Sequence, residues 1–242
     1  MSTGPGPMLI DHRTAVLVCA GPSLDQLSPN AWRAIEQARA VVSVNGSLVA
    51  TTCKRNRVCF TYAAAMDVAT GLADHVPGFA DAWKRTPAWR VSAHGTAAEA
   101  ESFVKEVEWW GDAPDEGYVG GSTAMVAGNW LCNPWPDDPD SRGELEATER
   151  RSAKRIPPRG FKRLAYVGLD MIPGQGAHAE GAGSHNSGFS RSVDHYDRVC
   201  SGWRLFFLEA RKRGIEVVNF TPGTGLRQLP RLDVPGDWLR SP

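Results

Sequence analysis

The chain has 242 residues, 42% apolar and 22% charged, and its 27 basic and 27 acidic side chains cancel. That length and apolar share predict a single core and one domain of ordinary size. A zero net charge excludes a global attraction to nucleic acid or anionic membrane. No apolar run approaches the roughly 20 residues of a membrane-spanning helix.

Residues 1–12 are rich in Gly and Pro and are expected to fray. They lack a signal-peptide layout, which predicts a cytoplasmic protein. The five cysteines, Cys19, Cys53, Cys59, Cys132 and Cys200, are odd in number and form no C-x-x-C pair. Reduced, mostly buried thiols are expected, rather than a disulfide framework or a zinc site.

Thr14–Ala20 is an apolar run of strand length, suited to burial on both faces. Ser28–Arg39 predicts a helix, with Pro29 near its start and Trp32, Ile35 and Ala38 at helical spacing. Ala40–Asn45, Arg57–Tyr62 and Ala88–Ala93 predict three further strands. Between the last two lies a helical or irregular stretch with Asp67 near its start. Thr96–Val107 predicts a helix, and Gly120–Cys132 a glycine turn entering an apolar helix. Asn133–Gly160 is Pro-rich and charged, a surface insertion or mobile lid. Arg163–Met171 returns to buried-strand character. Pro173–Ser192 is a long Gly/Ser/His loop, Val193–Gly214 the longest helix, and Ile215–Pro222 the last strand.

Strands alternating with helices predict an α/β fold. The expectation is a single Rossmann-like domain over 13–228, with a mainly parallel sheet flanked by helices. The charged insertion at 133–160 precedes a late strand, and 229–242 is a C-terminal tail. Ligands in such sheets bind beyond the carboxyl ends of the strands. The informative residues are therefore those that follow each strand.

Gly21 permits close backbone approach, Pro22 fixes φ, and Ser23 offers a hydroxyl and an amide to phosphate at a strand-to-helix turn. A simple turn is the alternative. The turn is neither a P-loop nor a G-x-G-x-x-G fingerprint. Asn45 and Gly46 either present an amide to a ribose or base or merely turn the chain. Gly121, Ser122 and Thr123 either bind phosphate at a helix entrance or cap that helix. Gly168 and Asp170 end a strand, where a carboxylate suits a ribose hydroxyl or a metal-bound phosphate, or a turn. His178, His185 and His195 follow, and any of them is a candidate general base near neutral pH. Their spacing matches no compact metal-ligand motif.

The order "VCAGPSL", "VNGS", "GGSTA", "VGLDM", "HAEG" and "VVNFTPGTGL" resembles one superfamily. It contains the small bacterial sialyltransferases, the motility-accessory-factor flagellin glycosyltransferases and the archaeal-type 6-hydroxymethylpterin diphosphokinase. The resemblance runs from about Ala15 to Leu226. Gly21, Pro22 and Ser23 match the sialyltransferase turn that receives CMP phosphate and ribose, with Ala20 in place of an Asn. Asn45 matches the Asn after the second strand, Gly121–Thr123 a nucleotide segment, and Gly168 and Asp170 a strand end. His195 is the nearest equivalent of the catalytic base, with His185 second; His178 fits the motility-factor loop. The tyrosine pair supporting the leaving phosphate has no clear match in Tyr166 or Tyr196.

The resemblance implies a glycosyltransferase using a nucleotide-sugar, CMP-sugar favoured, with no tightly bound cofactor or metal. His195 would deprotonate an acceptor hydroxyl. Ser23, Ser122 and Thr123 would stabilise the departing phosphate. One alternative is a Mg-ATP-dependent diphosphokinase with Mg²⁺ at Asp170. The other is a catalytically degenerate nucleotide-binding protein. The acceptor stays open between glycan, protein and modified DNA in a phage-type pathway. DNA contact would fall to Arg150, Arg151, Lys154, Arg155, Arg159, Lys162 and Arg163, unless these form a solvated lid. Trp109, Trp110, Trp130 and Trp135 are candidates for stacking near the site. A homo-oligomer is left open.

Overall fold

Ala15–Val18 forms the first strand, β1, with every side chain buried, as a run apolar on both faces requires. The computed structural model describes residues 10, 12–67, 72–94, 99–103, 122–135, 137, 139–171, 179–183, 193–221 and 223–226. Helix α1 (Pro29–Glu36) follows, then β2 (Ala40–Val44), the one-turn helices α2 (Thr51–Arg55) and α3 (Ala73–His75) on either side of β3 (Tyr62–Asp67), α4 (Phe79–Arg85), β4 (Trp89–His94) and β5 (Ser102–Phe103). The second part carries α5 (Thr123–Cys132), α6 (Pro139–Ser152), β6 (Arg163–Val167), α7 (Val193–Lys212) and β7 (Glu216–Asn219). Ser28 caps α1, its Oγ accepting from the Ala31 N–H at 3.2 Å. Ser28→Ala is expected to cost about 1 kcal/mol, read from urea unfolding midpoints.

The sheet has seven strands in the order β5-β4-β3-β2-β1-β6-β7, and every pairing is parallel. The chain builds outward from β1 to β5, then crosses back to place β6 on the other side of β1. Right-handed crossovers in both directions put the two sets of helices on opposite faces. Residues of α1, α2 and α4 pack with Val16, Val18, Val41, Ala63 and Ala165 on one face. Residues of α5 and α7 pack with Leu17, Val42, Ala64, Leu164 and Tyr166 on the other.

Two elements differ from the sequence reading. The third strand is Tyr62–Asp67, not Arg57–Tyr62. Val58, Cys59 and Phe60 favour a strand by type, yet only the stretch from Tyr62 onward pairs with β2 and β4. Within the expected helix Thr96–Val107, Ser102 and Phe103 instead pair with Val91 and Ser92. Within the insertion, 139–152 is the helix α6.

The insertion is rooted at the strands' amino ends. Tyr62 Oη donates to Pro158 O at 2.5 Å, and Lys154 Nζ donates to Ala88 O and Glu101 Oε1 at 2.7 and 3.0 Å. The basic cluster there is largely partnered from within. Lys154 pairs with Glu101, Arg163 with Glu216 and Arg150 with Glu146. The Arg159 guanidinium lies between the Trp130 and Trp135 rings, 4.2 and 4.4 Å from their centroids. Trp130 and Trp135 therefore pack an arginine at the amino end of the sheet and offer no stacking surface at the carboxyl end. Trp109 and Trp110 lie outside the described residues. All five cysteines are free, and only Cys59 is exposed. Among the described residues, no helix is long and apolar enough to cross a membrane.

Candidate functional site

The chain reverses its building direction between β1 and β6, and the carboxyl ends of those two strands are where ligands of such sheets bind. There Cys19 N–H and Gly21 N–H donate to Val167 O and Gly168 O, both at 2.8 Å, and extend the pairing past the strands. Ser23 Oγ donates to Asp170 Oδ2 at 2.7 Å, and the Ser23 N–H reaches the same oxygen at 3.3 Å. Both residues are buried, Ser23 at 3% and Asp170 at 8% exposure.

Two glycines make that contact possible. A Cβ on Gly21 would lie 1.9 Å from Asp170 Oδ2 and 2.4 Å from Gly168 O. Gly168 has φ +68°, and its Cβ would lie 2.6 Å from Cys19 O. The turn after β7 braces Asp170 from the far side. Thr224 Oγ1 and Gly225 N–H donate to Asp170 O at 3.1 and 2.8 Å, and the Leu169 N–H donates to Thr221 Oγ1 at 2.8 Å. Asn219 Nδ2 donates to Leu169 O at 3.3 Å. The last strand was expected to run to Pro222, and no local sequence pattern signals that the turn beyond it braces Asp170. Met171, just beyond, has φ +44°, a rare conformation for a side chain of its size.

The expectation that Gly21–Ser23 offers amides to phosphate is not met. The Gly21 N–H is bonded to Gly168 O, Pro22 has no N–H, the Ser23 N–H faces Asp170, and the Leu24 N–H donates to Gly21 O at 3.0 Å. Ser23's hydroxyl proton is committed to the carboxylate as well. The amides of Gly21, Ser23 and Leu24 and the Ser23 hydroxyl proton are thus already committed within the protein.

The Asn45–Gly46 turn is roofed by the segment 179–183. A Cβ on Gly46 would meet Ala182 O at 2.0 Å. The Ala179 N–H donates to Ala20 O, the Glu180 N–H to Asp25 Oδ2, and the Thr51 N–H to Glu180 O, at 2.8, 2.7 and 2.7 Å. Gly46 is thus a packing position. Asn45 has φ +53°, and its buried Oδ1 has no hydrogen-bond partner among the described residues.

Helix α5 runs antiparallel to β6. Its early Ala124 O accepts from Tyr166 Oη at 3.3 Å, while its late Leu131 O accepts from the Gly160 and Phe161 N–H groups. Its amino end therefore faces the carboxyl edge of the sheet. Ser122 precedes it and makes no side-chain cap, and Thr123 is its first residue. The Ser122 hydroxyl and the first-turn amides suit an anion. Gly121 lies outside the described residues. Helix α7 also ends at the amino edge of the sheet, so His195, in its first turn, starts at the same edge as Asp170. The His195 side chain lies outside the described residues, as do His178 and His185 altogether. Tyr166 is a core residue, edge-on to Trp203 at 5.2 Å.

Burial pushes the Asp170 carboxyl above its ordinary range, against hydrogen bonds from Ser23 Oγ, the Ser23 N–H and its own amide. A raised folded value means the protonated form is favoured by folding. That contribution is present below the unfolded value of about 3.9 and is lost as pH rises through the folded value. Ionised Asp170 is therefore a cost at neutral pH. Asp170→Asn is expected to melt at or above the wild-type temperature at pH 7, with the gap closing below about pH 4. Thermal melts across that range check this; a clearly lower melting temperature at pH 7 would mean that the Ser23 bonds outweigh burial. Among the described residues no three His, Cys, Asp or Glu side chains gather as a metal site. Asp170 alone fits Mg²⁺ only in the form carried by a nucleotide's phosphates.

The sheet order, the parallel register and the flanking helices define a single α/β Rossmann-like domain. No protein-family model, no characterised protein and no solved structure matches the chain.

Proposed function

We propose that the chain is a transferase that binds a nucleotide-sugar, of CMP-sugar type, at the carboxyl ends of β1 and β6 and moves the sugar to an acceptor hydroxyl in the cytoplasm. The observation that carries this reading is the Ser23–Asp170 pair, buried and braced at the switch point of a parallel sheet. The resemblance stated above supports the donor class. The amino end of α5, with Ser122 and Thr123, takes the phosphate. His195 removes the acceptor hydroxyl's proton. The oxygen attacks the anomeric carbon, and the sugar–phosphate bond breaks with its electrons passing to the nucleotide. The internal pairing of Lys154, Arg159 and Arg163 leaves a glycan or protein acceptor better supported than DNA.

A lone buried carboxylate at a switch point also suits Mg-ATP, which keeps the diphosphokinase reading in the test. CMP-, UDP- and GDP-sugars and ATP are incubated with the protein, with and without EDTA. Release of sugar from CMP-sugar regardless of EDTA is expected. Mg²⁺-dependent formation of AMP overturns the reading in favour of diphosphate transfer. CMP binding without turnover of any donor points to a degenerate binding protein.

A further inference from the structure

We propose that the outward face of helix α6 docks on the same face of a second copy of the chain, the two helices antiparallel across a two-fold axis near Ala147. The inference does not depend on the nucleotide reading.

Helix α6 has 14 residues and buries none of them. A helix of that length is marginal in water without a packed face. Its inner face, Ser141, Leu145, Thr148, Glu149 and Ser152, is only half-buried. The segments at both ends are nonetheless tied to the body. Asn133 Nδ2 donates to Asn129 O and Trp135 Nε1 to Pro157 O, both at 2.8 Å. Beyond the helix, the Ile156 N–H donates to Glu149 Oε1 at 3.1 Å, and Lys154 Nζ holds Ala88 O and Glu101. The fold thus fixes a polar helix on its surface without using it in the core.

The outward face is ordered by charge. Asp140, Glu144, Ala147 and Arg151 recur at spacings of four, three and four, one stripe of a helix and the seam spacing of a coiled coil. Gly143 and Arg150 flank that stripe, both exposed. Acids stand in its first half, arginines in its last, and small residues between. Among the described residues Asp140, Glu144 and Arg151 make no ion pair within the chain. A parallel partner would set acid on acid. An antiparallel copy sets Asp140 and Glu144 against Arg150 and Arg151, and the two-fold axis repeats each contact.

Gly143 points the same way. A Cβ there would meet nothing within 4 Å, so no described neighbour explains a glycine in mid-helix, where alanine is favoured. A helix approaching from outside does, because Gly143 and Ala147 let the two backbones come close enough for the end charges to meet. The helix spans roughly 21 Å, which places the contact at the small end of specific interfaces. Exposed ion pairs carry it, so the dimer is weak and sensitive to salt.

The test is sedimentation velocity of the full chain over a concentration series, in about 0.1 M and about 1 M salt. At the lower salt the mass is expected to rise with concentration toward twice that of the chain. The higher salt should raise the dissociation constant about tenfold or more. Two charge-reversed variants are then compared, Asp140→Arg with Glu144→Arg, and Arg150→Glu with Arg151→Glu. Each alone is expected to stay monomeric where the wild type pairs. Their equimolar mixture is expected to form the dimer again, since the basic helix of one then faces the acidic helix of the other along its whole length. That recovery also shows that both variants are folded. A wild type that stays monomeric at the lower salt overturns the inference. A dimer that persists in either variant alone, or a mixture that does not recover it, overturns it too.

Discussion

Gly21→Ala is expected to destabilise the protein by about 3 kcal/mol, at the upper end of ordinary overpacking. The added methyl would lie 1.9 Å from Asp170 Oδ2 and 2.4 Å from Gly168 O. The side chain can swing only by giving up its bonds to Ser23, and the carbonyl belongs to backbone that also accepts the Gly21 N–H. Gly21 itself has φ −71°, which alanine adopts freely, so the whole effect is steric. The carboxyl ends of β1 and β6 must therefore separate. Loss of nucleotide binding should accompany the lower midpoint in chemical unfolding. An unchanged midpoint would mean that the β1 turn and Asp170 are not in contact.

Gly128→Ala is the second large effect, and its sign is expected to depend on the partner. Gly128 lies in α5, where alanine should gain roughly 1 kcal/mol in helix propensity. A Cβ there would sit 2.0 Å from Tyr166 Oη, with Leu164 and Phe206 carbons at 3.2 and 3.3 Å. The tyrosine is fully buried and packed edge-on against Trp203, so it has nowhere to move. The clash outweighs the propensity gain, and a net loss of about 2 kcal/mol follows. Tyr166→Phe removes the clashing oxygen along with the hydrogen bond to Ala124 O. In that background Gly128→Ala should be close to neutral. A double-mutant cycle on urea midpoints reads the coupling, about 1–3 kcal/mol for residues in contact. Additive effects would place α5 farther from β6 than described.

The central strands were legible because burial on both faces leaves an uninterrupted apolar run. Ala15–Val18 and Ala40–Val44 are buried throughout. Tyr62–Asp67 was not, because its alanines carry little strand preference and owe their conformation to strands on either side. Ser102–Phe103 failed for a related reason: two residues on an edge take their state from β4 alone. At the site, Gly21, Ser23, Gly168 and Asp170 could be chosen by their places after strands. Their roles could not, because a hydrogen bond between residues 147 positions apart decides them. An amide looks free in a sequence until its acceptor is known. Gly46 shows the same limit: it looks like a turn glycine, and the reason for it is a carbonyl at Ala182.

The backbone pairing of Cys19 with Val167 and of Gly21 with Gly168 carries the sheet's ladder up to the candidate site itself. Binding residues usually sit on the segments that open most readily, and a ligand must then freeze them. Here Ser23 and Asp170 follow β1 and β6, two interior strands each paired on both sides. The acceptors are preorganised, and little ordering entropy is charged against the first ligand contact. A molecule bound at this joint draws on the cooperativity of the whole sheet.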